Sequence, residues 1–524
     1  MKSLFITWFL LTLSTPLSLA AETSSFDERR ADWRNGAITY QVFVDRFAPT
    51  TNLEAKAKLY SAPKSLRPWS ELPKREKPAE DSILWTHELA FWGGDLKSLS
   101  GKIDYLKELG IDALYLNPIV EAQSNHKYDA IDYYKIAPEY GNFEDLKNLS
   151  SQLHNNNMRL ILDGVFNHIG FQSHWFQDAL NNHNSRYRDW FLFDKTITNG
   201  YVGWWGVANL PEFDWSNSEI LNEIVTKPES VIRHYFDYGI DGWRLDVAFE
   251  MSPQALKAIS DVSHQEKPGS LVIGEVWNYP KDWTNSLDAV MNFTLRELMF
   301  QFAKGQLNGD IFTKQINQMV KDAGIEAILR SWLLLDNHDT KRLMTLYPDQ
   351  DQRRLLQALQ MTLPGAPLIY YGVELGMEGG EDPENRAPMR WDLLQPDNEA
   401  FKYLTHLIAL RQSHPALKVG NYTPLISNQA LAFLRTTDRI DETIVVVANN
   451  SNKSISETLM LQDPRIMNGE EFVDLLSGRI YPSRSAILKL NIPSQTVMIL
   501  KPKMWPDHTK RTGHSAYKHL DVYK

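Results

Sequence analysis

Short apolar runs alternate with longer helix-period segments along most of this chain. The runs are AITYQVFV at 37–44, DALYLNPI at 112–119, RLILDGVF at 159–166, GWRLDV at 242–247, LVIGEV at 271–276, AVMNF at 289–293, SWLLLD at 331–336 and PLIYYG at 367–372. They are rich in Val, Ile, Leu and Tyr without strict alternation, as expected for parallel strands covered on both faces. Segments such as LKSLSGKIDYLKELG and FEDLKNLSSQLHNNN between them carry the helical period. Eight strands alternating with helices over 37–415 predict an α/β fold, a closed (β/α)8 TIM barrel. An open doubly wound sheet is the alternative, but the first run lacks a Gly-rich dinucleotide loop.

The largest insertion expected is at 169–220, after the third strand, and includes WWGVANLPEFDW. Beyond about 418 the runs shorten and alternate: ALAFLRTT, TIVVVANN, SETLML, EFVDLLSG, AILKLNI and QTVMILKP. They predict a C-terminal antiparallel β-sandwich at 418–503. Residues 504–524 lack an apolar period and are expected to be a tail.

The first residues add a compartment. Lys2 precedes an apolar run from Leu4 to Leu13, and small residues follow at Ser18, Ala20 and Ala21. This is the pattern of a secretory signal peptide over 1–21, so an exported protein, periplasmic or extracellular, is expected. No later run is long and apolar enough for a membrane span. With no cysteine in 524 residues, disulfides, thiolate metal sites and thiol nucleophiles are excluded. The net charge of −10 argues against a nucleic-acid partner. The 16 Trp, 21 Tyr and 22 Phe suit a sugar binder and a large aromatic core equally.

Chemistry in such a barrel sits at the C-terminal strand ends. The third strand leads to Asp163, Asn167 and His168, the fourth to Arg244 and Asp246, the fifth to Glu275, and the seventh to Asn337, His338 and Asp339. Any one acid there suits a rim salt bridge, whereas the whole set suits glycoside hydrolysis with retention. That reaction needs two carboxyls about 5–5.5 Å apart, and neighbouring strands lie about 4.8 Å apart. Arg244, two residues before Asp246, shares its face and can aim it as a nucleophile. Val276 and Trp277 give Glu275 the apolar neighbours that suit a general acid.

In order and spacing, these segments resemble the α-amylase family of glycoside hydrolases. The match is carried by DGVFNH at 163–168, GIDGWRLDVAFE at 239–250, IGEVW at 273–277 and LLLDNHDT at 333–340. LKELGIDALYLNPI, NHKYDAIDYY, LPEFDW, PGAPLIYYGVELGM and NRAPMRWD support it, so that it spans about 37–503. The resemblance implies Asp246 as nucleophile, Glu275 as acid/base and Asp339 as the third carboxylate, holding the 2- and 3-hydroxyls of the distorted sugar. It implies His168 and His338 as hydrogen-bonding partners of that sugar, Tyr128 as its stacking platform and Arg244 as the positioner of the nucleophile. Asp163 is expected to be structural, bracing Arg244 or the strand-three loop.

Two departures from the family pattern sharpen the expectation. Phe249 and Glu250 stand where many α-amylases carry Lys and His. A Glu there resembles neopullulanases, cyclomaltodextrinases and maltogenic amylases, which act on short or branched maltodextrins. Their extra N-terminal β-domain has no counterpart in this pattern, so a monomer is expected. Glu250, Trp205 and Trp277 are expected to line the substrate site beside Trp204. Asn167 matches a family calcium ligand, but Glu250 replaces its His partner and no Asp-rich calcium loop follows the first strand. No cofactor is therefore expected, and a structural Ca2+ near Asn167 is disfavoured. The expected substrates are α-1,4-linked, and some α-1,6-linked, starch-derived glucans or maltooligosaccharides. A 4-α-glucanotransferase on the same scaffold is the first rival, and a non-catalytic glucan-binding relative the second.

Overall fold

The computed structural model describes residues 25–79, 83–466 and 468–503. The leader expected at 1–21 and the tail expected at 504–524 lie outside the described residues. Eight parallel strands close into a barrel. They are β1 (Thr39–Val42), β2 (Ala113–Leu116), β3 (Arg159–Gly164), β4 (Gly242–Leu245), β5 (Leu271–Val276), β6 (Ala289–Asn292), β7 (Trp332–Leu334) and β8 (Ala366–Tyr370). β8 pairs back onto β1, with Thr39 opposite Leu368. Each strand corresponds to one predicted run.

Side chains alternate between the two faces of each strand, and this explains the unbroken apolar runs. Ala113, Tyr115, Ile161, Ile273, Met291 and Trp332 fill the barrel lumen. Leu114, Leu160, Leu162, Val272, Val290 and Leu333 point outward into the layer under the helices. The same period carries polar groups to the top of the lumen. Two residues beyond Ile161 is Asp163, two beyond Ile273 is Glu275, and two beyond Thr39 is Gln41.

The helices are set by local signals. Asn142 caps the helix Phe143–Asn155 by accepting from Glu144 N and Asp145 N. Ser252 caps Pro253–Glu266 with Pro at its first position. Three irregular stretches gather at the C-terminal mouth. One is the expected insertion at 169–220. A second, not expected, runs from the end of β1 to the helix starting at Leu96 and includes the short parallel pair Ser65–Leu66 and Ala90–Phe91. The third follows β8. After β2, a bulged hairpin of Val120–Ala122 and Ala130–Ile136 also rises towards the mouth.

The C-terminal region is antiparallel, as expected. Its two layers form one folded eight-stranded sheet in the order β9-β10-β11-β16-β13-β14-β15-β12. The strands are β9 (Asn421–Pro424), β10 (Leu431–Thr436), β11 (Thr443–Asn449), β12 (Ile455–Met460), β13 (Glu471–Asp474), β14 (Ile480–Arg484), β15 (Ile487–Ile492) and β16 (Thr496–Pro502). β14 pairs with both β13 and β15 and carries the sheet from one layer to the other. β11 is buried on both faces. Ile444, Val446 and Ala448 join the core of the barrel, while Val445 and Val447 meet Leu459, Leu488 and Leu490 inside the folded sheet. β9 and β14 escaped the pattern reading because both contain proline and β14 is largely exposed.

Candidate active site

The site begins with register. Leu245 pairs with Gly274 across β4 and β5, which sets Asp246 and Glu275, the next residues, side by side. Asp163 pairs with Arg244 across β3 and β4. The buried Arg244 guanidinium then gathers three carboxyls. Its Nη1 donates to Asp163 Oδ1 and Asp246 Oδ1, each at 2.8 Å. Its Nη2 makes an ion-pair contact of 2.8 Å with Glu275 Oε2. Both carboxyls of the expected pair thus touch one planar group, as the side-by-side arrangement of a retaining site requires.

Burial and like charges in a dry site disfavour the ionised form of a carboxyl. Burial pushes the Asp246 carboxyl up; Arg244 opposes this, while Glu275, Asp163 and Asp339 reinforce it. Burial pushes Asp163 up as well, with Arg244 pulling back. Asp163 also accepts from the hydroxyls of Tyr115 at 2.5 Å and Tyr128 at 2.8 Å. With all its donors supplied by protein, it anchors Arg244 and braces the strand ends.

Glu275 sits in a more polar setting than its neighbours in sequence suggest. The indole N–H of Trp277 donates to its Oε1 at 3.0 Å, and the backbone N–H of Val247 donates to Oε2 at 3.1 Å. Trp277 reaches this position by stacking on Phe293, with ring centres 4.8 Å apart.

On the opposite side, the Tyr128 and His338 rings lie nearly parallel, edge to edge, with an interplanar angle of 2°. Gln41 Nε2 donates to His338 Nδ1 at 2.8 Å, so the proton lies on Nε2, which faces the Tyr128 oxygen at 2.5 Å. Burial keeps His338 neutral, well below the usual imidazole range, and Arg386 adds to this. Burial also depresses His168, to about 3. Neither ring nitrogen of His168 makes a hydrogen bond of good geometry within the described residues.

A cavity of about 410 Å³ opens above these groups, within the usual range for small-ligand pockets. Asp246, Glu275, Asp339, His168, Trp205 and Trp277 line it. Trp204 and Trp205 come from the insertion and stack 5.0 Å apart. Trp205 adopts a left-handed backbone and is 72% exposed, and its indole N–H donates to Glu250 Oε1 at 3.0 Å. Glu250 itself is exposed and holds the wall from outside the cavity lining. It is the last residue of the short 3-10 turn Ala248–Glu250 and meets the cavity through Trp205 rather than directly.

The sequence reading assigned no role to Arg386, Asp382, His126 or Glu88, all of which face the cavity. Arg386 Nη2 donates to Asp339 Oδ1 at 3.2 Å, and its Nη1 pairs with Asp382 at 3.0 Å. Arg386 belongs to the NRAPMRWD segment, but its link to Asp339 spans 47 residues and leaves no local signal. His126 and Glu88 lie 3.3 Å apart and come from the hairpin after β2 and the excursion after β1.

Asn167 donates its amide to Glu250 Oε2 at 3.3 Å, and among the described residues no three acidic or imidazole side chains gather as metal ligands. No helix of the described residues is long and apolar enough to cross a membrane.

Residues 41–419 match the α-amylase catalytic domain. The chain belongs to the α-amylase family. It is a glycoside hydrolase. It is 33% identical over 486 residues to the cyclomaltodextrinase of Geobacillus thermopakistaniensis, covering 90% of this chain and 78% of that protein. It is likewise 33% identical to neopullulanase 2 of Thermoactinomyces vulgaris, with the same coverage. Among solved structures, the cyclic α-maltosyl-(1→6)-maltose hydrolase of Arthrobacter globiformis superposes with a TM-score of 0.74 at 26% identity, covering 90% of this chain and all of that one.

Proposed function

We propose that this enzyme hydrolyses short α-glucans, maltooligosaccharides and cyclomaltodextrins, by double displacement at Asp246 and Glu275. The observation that carries this reading is Arg244, which holds Asp246 and Glu275 at 2.8 Å each on adjacent strands. In the first step the Asp246 carboxylate attacks the anomeric carbon while Glu275 gives a proton to the leaving oxygen. The leaving sugar departs and a glycosyl ester forms on Asp246. In the second step Glu275 takes a proton from water, and the water oxygen displaces Asp246 with the α-configuration restored.

Asp339, aimed by Arg386, accepts from the 2- and 3-hydroxyls, and the open ring nitrogens of His168 supply further hydrogen bonds. Tyr128 offers its ring face to the same sugar. Trp205 and Trp277 supply stacking faces for the leaving sugar, and Glu250 fixes the Trp205 indole. Bulky aromatics on that side favour short substrates over the interior of long polymers. The names of the similar proteins point to the same substrate class. We also read the enzyme as exported, on the leader-type pattern at 1–21, and as one active without calcium.

Product analysis on maltotriose, pullulan, cyclomaltodextrin and soluble starch, with proton NMR of fresh product, tests the reading. The expected result is α-anomer first and higher kcat/KM on the short substrates. The β-anomer first, or viscosity of amylose falling well ahead of reducing ends, contradicts it. Activity lost to a chelator and restored by calcium contradicts the metal-free reading.

A further inference from the structure

Glu275 is held by two hydrogen-bond donors and the ion pair with Arg244, and one of the donors comes from an unusual piece of backbone. Val247, the residue after Asp246, has φ 48° and ψ 38°. A β-branched residue is rare in this left-handed region, because its Cγ atoms crowd the backbone. The strand ladder ends just before it, where Asp246 N donates to Gly164 O at 3.0 Å. At Val247 the chain peels off the sheet and lays Ala248 over β5. The N–H that a continuing strand would give to a backbone carbonyl instead donates to Glu275 Oε2 at 3.1 Å.

A second observation shows how tightly this turn is seated. A Cβ on Gly274, the residue before Glu275, would lie 3.0 Å from Ala248 Cβ and 2.5 Å from Leu287 Cδ1. Leu287 can swing a terminal methyl aside, but the Ala248 methyl is fixed to the turn. Only glycine at 274 lets the turn come so close to the strand that bears Glu275.

We propose that the left-handed turn at Val247, seated on Gly274, is a positioning device for the acid/base. It pins one oxygen of Glu275 with a backbone N–H, while the Trp277 indole pins the other. This inference rests on the reading of Glu275 as acid/base, and it makes Val247 and Gly274 positioning residues.

Leaving-group dependence tests it. With α-maltosyl fluoride the C–F bond breaks as Asp246 bonds to the anomeric carbon, and fluoride leaves with the electron pair, needing little proton donation. Azide then displaces Asp246 without base assistance and yields α-maltosyl azide. Maltotriose needs the proton from Glu275. Gly274→Ala should therefore lose at least about tenfold in kcat/KM on maltotriose but less than about threefold on the fluoride with azide, since a misplacement of about 1 Å can cost about 100-fold. Val247→Pro, which lacks the N–H and cannot hold a positive φ, should lose at least about 100-fold on maltotriose with the same selectivity. Melting curves check that each variant is folded. Equal losses on both substrates, or a Gly274→Ala enzyme indistinguishable from wild type, overturn the proposal. Glu275→Ala separates the underlying reading: failure to give α-maltosyl azide from the fluoride overturns the role of Glu275 itself.

Discussion

At the N-terminal end of the barrel, Asp112, Asp241 and Asp288 each accept the backbone N–H that opens a neighbouring strand, from Ile38, Leu160 and Val272 at 2.8–2.9 Å. Each also meets its own basic partners: Lys418 for Asp112, His154 and Lys267 for Asp241, His264 and Arg34 for Asp288. At the C-terminal end, Asp163, Asp246 and Glu275 share one guanidinium, and Asp339 leans on another. Burial acts on both rims, yet at Asp241 its upward push is outweighed by His154 and Lys267, and the carboxyl lies below the usual range. Asp246 is pushed the other way. The same residue type is thus neutralised pair by pair at one rim and left under-compensated at the other. The first arrangement stabilises the barrel, and the second keeps protons and charge available for chemistry.

The sharpest way to break this contrast is at the upper rim. Asp246→Asn or Glu275→Gln should lower kcat at least about 10³-fold, equivalent to about 4 kcal/mol, with a melting temperature no lower than wild type. A variant retaining a tenth of the rate on maltooligosaccharides ends the assignment. At the lower rim, Asp241→Ala should cost about 2–3 kcal/mol of stability, because it removes the partner of Lys267, of the His154 ring and of the Leu160 N–H, while kcat per folded molecule stays within about twofold. Asp241 is held below its unfolded value, so its contribution is present above about pH 4 and is lost as pH falls through the folded value. Denaturant titrations between pH 2.5 and 6 should show this acid-side loss in wild type and not in Asp241→Ala.

A third prediction uses Asp336, just past β7 on the catalytic rim. Burial pushes its carboxyl up to about 6. A carboxyl raised above its unfolded value favours the fold while protonated, and this contribution is lost as pH rises from about 4 through 6. Asp336→Asn keeps an acceptor for Leu343 N, which now reaches Asp336 Oδ2 at 2.7 Å. It should gain on the order of 2 kcal/mol over wild type at pH 7.5 and nothing at pH 4. Equal gains at both pH values would show that charge is not the cause. The smallest effect belongs to the wall of the mouth. Glu250→His removes the partner of the Trp205 indole and should shift preference from maltooligosaccharides towards long polymers by a few-fold, about 1 kcal/mol. Unchanged kcat/KM ratios across chain lengths would remove Glu250 from specificity.

The barrel was legible because each strand is apolar on both faces and each polar strand end interrupts that pattern. Asp246, Glu275, His168 and His338 therefore announced themselves as residues at the ends of runs. The excursion after β1 was not legible, since its regular elements are two-residue strands and single helical turns with no period to detect. Arg386, His126 and Glu88 reach the cavity from such loops, and the links of His126 to Glu88 and of Arg386 to Asp339 span 38 and 47 residues. The setting of Glu275 was half legible. Val276 and Trp277 read as apolar neighbours, whereas the donors that hold the carboxyl are an indole N–H and a backbone N–H freed by a left-handed residue, which composition does not reveal.

The central claim is that Asp246 forms a covalent bond to the sugar while the other rim carboxylates do not. Trapping with a 5-fluoro-α-glycosyl fluoride, followed by peptic digestion and mass spectrometry, tests it directly. The account predicts one glycosyl adduct, on the peptide carrying Asp246, with none on Glu275, Asp163 or Asp339. An adduct on any of those three, or turnover to the β-anomer without any adduct, would contradict it.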